Sequence, residues 1–213
     1  MTTRRVVDHR GNFEVRRQRL PFKTKYLVDL VLARILPCFE ERGFVWYPDF
    51  AGGRPIDIGS NEIPLQRRQG EDWPTVQFRF NRHDRPCFSV DFAVLPPLCR
   101  ELGLQPIPRE KALVIHAPAY FMLCKGERQS LDGPFGYRSF SFFPQRFLSS
   151  EVDKVVTLLP VLFDLFDNGI PKEWLEAEIG RVAKHIYLMG SWKVWERRRA
   201  RRAQEKTLGS KET

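Results

Sequence analysis

Seven polar side chains at period-two spacing are the residues of this chain best placed to do chemistry. Segments 63–68, 75–80 and 88–95 alternate apolar and polar residues in the manner of half-buried strands. Successive side chains on a strand point to opposite sides of the sheet. One side then carries Val76, Phe78, Phe80, Phe88, Val90, Phe92 and Val94; the other carries Glu62, Gln66, Arg68, Gln77, Arg79, Ser89 and Asp91. Two carboxylates beside a guanidinium are the ingredients of acid–base chemistry, so Glu62, Arg79 and Asp91 define a hydrolase-like alternative. The same polar side could instead be a concave face that binds a protein or a small-molecule ligand. Its plainest reading is a solvated sheet face, with cross-strand ion pairs worth a few tenths to about 1 kcal/mol each.

A second constellation lies in the last part of the chain, where five of the seven residues 196–202 are Arg. Arg197, Arg198, Arg201 and Arg202 recur at helical spacing and, with Lys193, could follow a phosphate backbone. Trp192 and Trp195 beside them could stack on bases. Nucleic-acid association through this tail is therefore a further alternative. The same run would also suit an acidic protein or membrane surface, or a solvated extension whose tryptophans pack back on the body.

Other catalytic patterns are weak. No Gly-x-Ser-x-Gly occurs. Cys124 and His116 on one strand would lie roughly 26 Å apart, far beyond the ~3 Å an activated pair needs. Cys38, Cys87, Cys99 and Cys124 have neither CxxC spacing nor a His at a recognised ligand distance. Free thiols in a reducing compartment are expected, with no metal and no cofactor. His83 falls in a turn, and His185 at the polar edge of a late helix.

The elements that must position these residues follow from pattern. The chain has 213 residues and a formal net charge of +9, with 17 Phe pointing to an aromatic core. Residues 1–25 carry a net +6 and residues 189–213 a net +5, so the body between them is slightly acidic. No apolar stretch follows the charged N-terminus, so no signal peptide is expected. The longest apolar run, 155–166, contains Pro160 and Asp164 and is too short for a bilayer of about 30 Å. No transmembrane segment and a cytoplasmic location are expected.

Residues 1–20 read as a basic arm in which Val6-Val7 and Phe13 to Val15 could form a short strand with Gly11-Asn12 as a turn, or which is partly disordered. Segment 22–42 reads as a helix kinked by Pro37 and ended by Gly43. Strand 44–47 and a turn at Ala51-Gly52-Gly53 follow. After the strand at 88–95 come a helical turn at 98–103, strands at 111–116, 119–124 and 137–143, a helix at 151–167, and a third helix at 172–188. Ser191 could cap a last, basic helix.

The order of these pieces resembles a family. A helix ends in Glu41-Arg42-Gly43-Phe44, and strands with Ile63-Pro64-Leu65-Gln66-Arg67 and Phe88-Ser89-Val90-Asp91-Phe92 follow it. Later come Leu158-Leu159-Pro160 and Asp167-Asn168-Gly169-Ile170. Over residues 24–188 this is similar to the DUF4304-type bacterial proteins of unknown function. The resemblance implies an α+β fold and a binding role, and supplies no catalytic residues.

The resulting expectation is an α+β protein with an antiparallel sheet of about five to six strands and helices packed on one face. A basic arm (1–20) precedes a single domain (21–188), and a basic, partly disordered helical tail (189–213) follows it. The leading function is a non-catalytic binding or interaction module.

Overall fold

The computed structural model describes residues 9–46, 61–68, 70–100, 105–125, 135–136, 143–197 and 200–201. In chain order the helices and first strands are α1 (His9–Arg19), α2 (Phe22–Arg34), α3 (Leu36–Glu40), β1 (Val45–Trp46), β2 (Glu62–Gln66), β3 (Trp73–Phe80) and β4 (Cys87–Leu95). Then come β5 (Leu98–Arg100), β6 (Pro106–Pro108), β7 (Ala119–Leu123), β8 (Phe135–Gly136), α4 (Pro144–Asn168), α5 (Lys172–Glu176), β9 (Gly180–Ala183) and β10 (Ile186–Ser191). The fold is α+β around an antiparallel sheet. Among the described residues the sheet has eight strands rather than five or six, in the order β1-β2-β3-β4-β7-β10-β9, with β8 paired to one end of β4.

The expected strands at 63–68, 75–80 and 88–95 become β2, β3 and β4, the middle of the sheet. β3 and β4 pair over eight residues, from Trp73↔Leu95 to Phe80↔Phe88. β1 opposes only Leu65 and Gln66, so Pro64, which has no N–H to give, sits beyond that pairing. The aromatic side of the sheet meets α2 and α4. Leu27, Val31 and Ile35 come from α2 and the residue after it; Val152, Val155, Leu162 and Phe163 recur at helical spacing along α4. Phe39 is the hub, edge-on to Phe44, Phe78 and Phe163 at 5.0–5.6 Å between ring centres. Such pairs add about 0.5–1.5 kcal/mol beyond area burial.

Several expectations change. The segment near 13–15 is part of α1, with Phe13 buried against Trp46 and Phe80. The helix over 22–42 divides at Ile35 into α2 and α3, with Pro37 in the first turn of the second piece, where its missing N–H costs nothing. Gly43, at φ +76°, ends it. Residues 98–100 are strand instead of a helical turn, and 114–116 form a 3-10 turn instead of a strand. α4 starts at Pro144, seven residues earlier than the pattern suggests. The third helix over 172–188 is replaced by the short α5 and the β9–β10 hairpin. The apolar residues Val182 and Ile186 fit either period; Gly180 and the pairing of β10 with β7 decide for strand. Val6-Val7, the turn at 51–53 and nearly all of the strand expected over 137–143 lie outside the described residues.

One buried charge ties α4 to the sheet. Glu151 is buried, forms an ion pair with Lys125, accepts from Lys154 Nζ at 2.7 Å and accepts the Gly136 N–H at 3.1 Å. Gly136 cannot carry a side chain, because a Cβ there would lie 2.4 Å from the Cys87 backbone. Burial alone would raise the Glu151 pKa; the two lysines and the Gly136 N–H outweigh it and hold the carboxyl below its ordinary value. This contribution is present above the ordinary Glu pKa and is lost as pH falls through the lowered one. We expect Glu151→Gln to cost about 1–3 kcal/mol in urea unfolding at neutral pH. Lys154→Met, at a half-exposed position, should cost under ~1 kcal/mol. Equal losses in the two variants would show that the carboxylate is not the anchor.

Candidate functional site

Strand register assembles the polar cluster. Glu62 opposes Arg79, Arg79 opposes Ser89, Gln77 opposes Asp91, and Asp91 opposes Met122. Opposed residues share a face, and diagonal neighbours are within reach of long side chains. Arg79 reaches diagonally to Asp91, its Nη2 pairing with Oδ2. Gln77 Nε2 donates to Glu62 Oε2 at 2.6 Å. The seven expected residues therefore fall into two groups. Glu62, Gln77, Arg79 and Asp91 form one, with Ser89 opposite Arg79. In the other, Arg68 Nε donates to Gln66 Oε1 at 3.1 Å, and Gln66 Nε2 donates to Thr75 Oγ1 at 3.4 Å.

This face is not the solvated surface that its polarity suggests. Asp91 is 0% exposed, and Gln66, Thr75, Gln77 and Ser89 are buried; Arg79, 37% exposed, and the half-buried Glu62 connect the first group to water, and the exposed Arg68 connects the second. Beyond this pair of charges, neither Asp91 oxygen accepts a well-aligned hydrogen bond among the described residues. Burial pushes the Asp91 carboxyl up to about 6; Arg79 and Ser89 pull it down and Glu62 adds to the rise. Further along the same face a second, smaller core is built from Ala93, Leu95, Cys99, Ala112, Val114 and Ala117, with Trp73 and Tyr120 against it. Arg109 lies 3.9 Å from the centre of the Trp73 ring and Arg68 lies 5.6 Å from it.

Tyr120 is a neighbour that the pattern does not single out. It opposes Ala93, two pairs along from Asp91 and on the same face, and packs so closely on Gly190 that a Cβ there would lie 2.5 Å from its ring. Burial raises its pKa, Arg79 opposes the rise and Asp91 adds to it. The usable sequence signal was the apolar pair Ala93 and Leu95 on the nominally polar side of β4, which requires a cover on that side.

The tail is docked at its start. Residues 192–197 are helical, the Trp192 N–H donates to Pro118 C=O at 2.8 Å, and Val194 is buried. Trp192 lies 4.9 Å from the Arg100 guanidinium, while Trp195 is largely exposed. Lys193 pairs with Glu176 and Arg197 with Glu178. Arg201 is exposed; Arg198 and Arg202 lie outside the described residues.

Other candidates separate. His116 is buried, and its Nδ1 accepts the Leu113 N–H at 2.9 Å. His185 lies between β9 and β10, not on a helix, with Nδ1 3.1 Å from the carbonyl of Cys124. The four cysteines are free thiols; Cys99 and Cys124 are buried, and burial pushes Cys99 up to about 12. Among the described residues, no group of three or more His, Cys, Asp or Glu side chains could hold a metal ion. Among them also, no helix is long and apolar enough to cross a membrane.

Asp91 gives a measurable signature. Its folded pKa is raised, so between about pH 4 and 6 the folded state holds a proton that the unfolded state has released. Its effect on stability therefore worsens as pH rises through that window and levels off above it. We expect the stability of Asp91→Asn relative to the parent to rise across the window by up to ~3 kcal/mol in urea unfolding. A difference independent of pH would show that Asp91 titrates at its ordinary value.

No family model, no curated protein and no solved structure matches this chain.

Proposed function

We propose that the protein is a non-catalytic binding module whose partner is anionic. The observation that carries this reading is the division of charge. On the sheet, Arg79 and Asp91 neutralise each other and Glu62 is bonded to Gln77, in a largely buried cluster. A charge held this way is poorly placed to meet a substrate, and a thiol pushed up to about 12, as Cys99 is, offers no nucleophile near neutral pH.

The excess of positive charge lies elsewhere. Arg10, Arg19, Lys23, Arg82, Arg85 and Arg201 are exposed, and residues 1–25 and 189–213 each carry a large net positive charge. The pairs Lys193–Glu176 and Arg197–Glu178 are also largely exposed. Exposed pairs of this kind are worth about 0–1 kcal/mol and are screened by salt, so an anionic partner can compete for their cations. Clustered surface cations raise the local concentration of anions and speed their association.

Titration of the full chain with fluorescein-labelled heparin, followed by anisotropy across a salt series, tests this. The association constant should fall linearly on a log–log scale as salt rises. Absence of binding at low ionic strength, or binding that ignores salt, would remove the proposal.

A further inference from the structure

We infer that the surface formed by the α1–α2 junction and the β3–β4 hairpin binds single-stranded nucleic acid, with Phe22 as its stacking platform. This rests on the reading of an anionic partner and assigns that partner's class and place.

The corner is a built structure. Phe13 is the apolar anchor of α1, buried against Trp46 and Phe80. Arg16 bonds Asp84 Oδ1 at 2.6 Å, and the Thr24 hydroxyl of α2 donates to the Asp84 carbonyl. Asp84 is the hairpin residue in the left-handed region, at φ +56°, a conformation Asp tolerates better than most residues. Beside it the His83 N–H donates to Asn81 Oδ1, closing the turn. Arg17 pairs with Glu14 and Asp29. Two arginines thus hold the corner together and fix where its other cations stand.

Those other cations face water. Arg19, Lys23, Arg82 and Arg85 are exposed and Lys25 is half-buried. Among the described residues no carboxylate pairs with Arg19, Arg82 or Arg85. At the start of α2, next to Lys23 in the chain, Phe22 is 68% exposed and stacks on Tyr26, with ring centres 6.5 Å apart and planes 20° from parallel. On a helix, residues three apart are neighbours, so Lys25 lies beside Phe22 and Lys23 beside Tyr26. An open aromatic face among cations matches a base stacked between phosphates. A duplex keeps its base faces covered, which favours a single strand. The cleft beneath, between Phe13, Arg16, Thr24 and Phe80, has about 10 Å³ of room, one water at most, so the ligand lies across the surface and not in a pocket. A bilayer fits less well: a helix lying in a membrane interface needs an apolar face, and Phe13 points into the core, leaving Val15 and Phe22 outside.

The test is anisotropy of the full chain with labelled oligothymidylate, a duplex of equal length and polyphosphate, with flotation on phosphatidylserine vesicles alongside. Oligothymidylate should bind best. Phe22→Ala should weaken it by about 5- to 100-fold, the range for loss of one stacked base, and leave polyphosphate binding unchanged. Arg82→Gln with Arg85→Gln should lower the salt slope by about 0.7 for each phosphate contact removed. Phe22 is exposed, so the variant should fold, and an unchanged thermal transition checks this. If polyphosphate binds as well as oligothymidylate and Phe22→Ala has no effect, this inference falls while the anionic partner stands. If oligothymidylate binding survives all three substitutions, the site is elsewhere, and the inference falls again. Binding to vesicles and not to the oligonucleotide would overturn it in favour of a membrane. No binding to any polyanion at low salt would remove both readings.

Discussion

Both faces of β4 are closed to water, and the rest of the fold follows from that constraint. Phe92 is fully buried on one face and Asp91, its neighbour in sequence, is fully buried on the other. A buried carboxylate is tolerated only with a partner of opposite charge or with a proton. Arg79 supplies the first, diagonally across β3, and the raised pKa shows how nearly the second is reached. This also fixes pairing. A slip of one residue between β3 and β4 would turn Asp91 into a core of Phe39, Phe78 and Phe163. The ion pair adds little net stability but strongly penalises the wrong register.

Closing two faces takes two layers. α2 and α4 cover the aromatic side with long apolar stripes, and Glu151 pins α4 where β8 approaches β4. The other side receives the short strands and 3-10 turns of residues 98–100 and 105–117, which bring Cys99, Ala112, Val114 and Ala117 against Ala93 and Leu95. The exposed cations proposed to meet a partner therefore lie around the sheet, at the α1–α2 junction, the β3–β4 hairpin and the tail.

What could be read from the sequence follows from which patterns are local. Alternation at Val76, Phe78, Phe88, Val90 and Phe92 gave β3 and β4 and the correct inner face, because period two over eight or nine residues has few rival explanations. Glu62, Gln77, Arg79 and Asp91 were rightly placed on one face. Their burial was not legible, since it depends on covering segments distant in the chain. The same limit explains β9 and β10: Ile179, Val182 and Ile186 satisfy a helical stripe locally, and pairing of β10 with β7 and of β9 with β10 decides for strand. In α1, the acceptors of Arg16 and Arg17 lie outside the helix, at Asp84 and Asp29, or three residues back at Glu14. A run of basic residues shows its charge to a reader but not these partners.

The two basic regions differ in what each can offer an anionic chain. In the tail, Lys193 and Arg197 are paired with exposed carboxylates, and Trp192 is engaged with Arg100, so binding there must first undo contacts. At the corner the order is reversed. Arg16 and Arg17 are paired internally, and that pairing holds α1, the start of α2 and the hairpin in fixed relation. The outward cations then sit on ordered backbone, and less freedom is lost when a ligand arrives. Phe22 is held by Tyr26 in the same way, presenting one ring face already oriented. The arginines that fold the corner are thus not the ones most open to solvent.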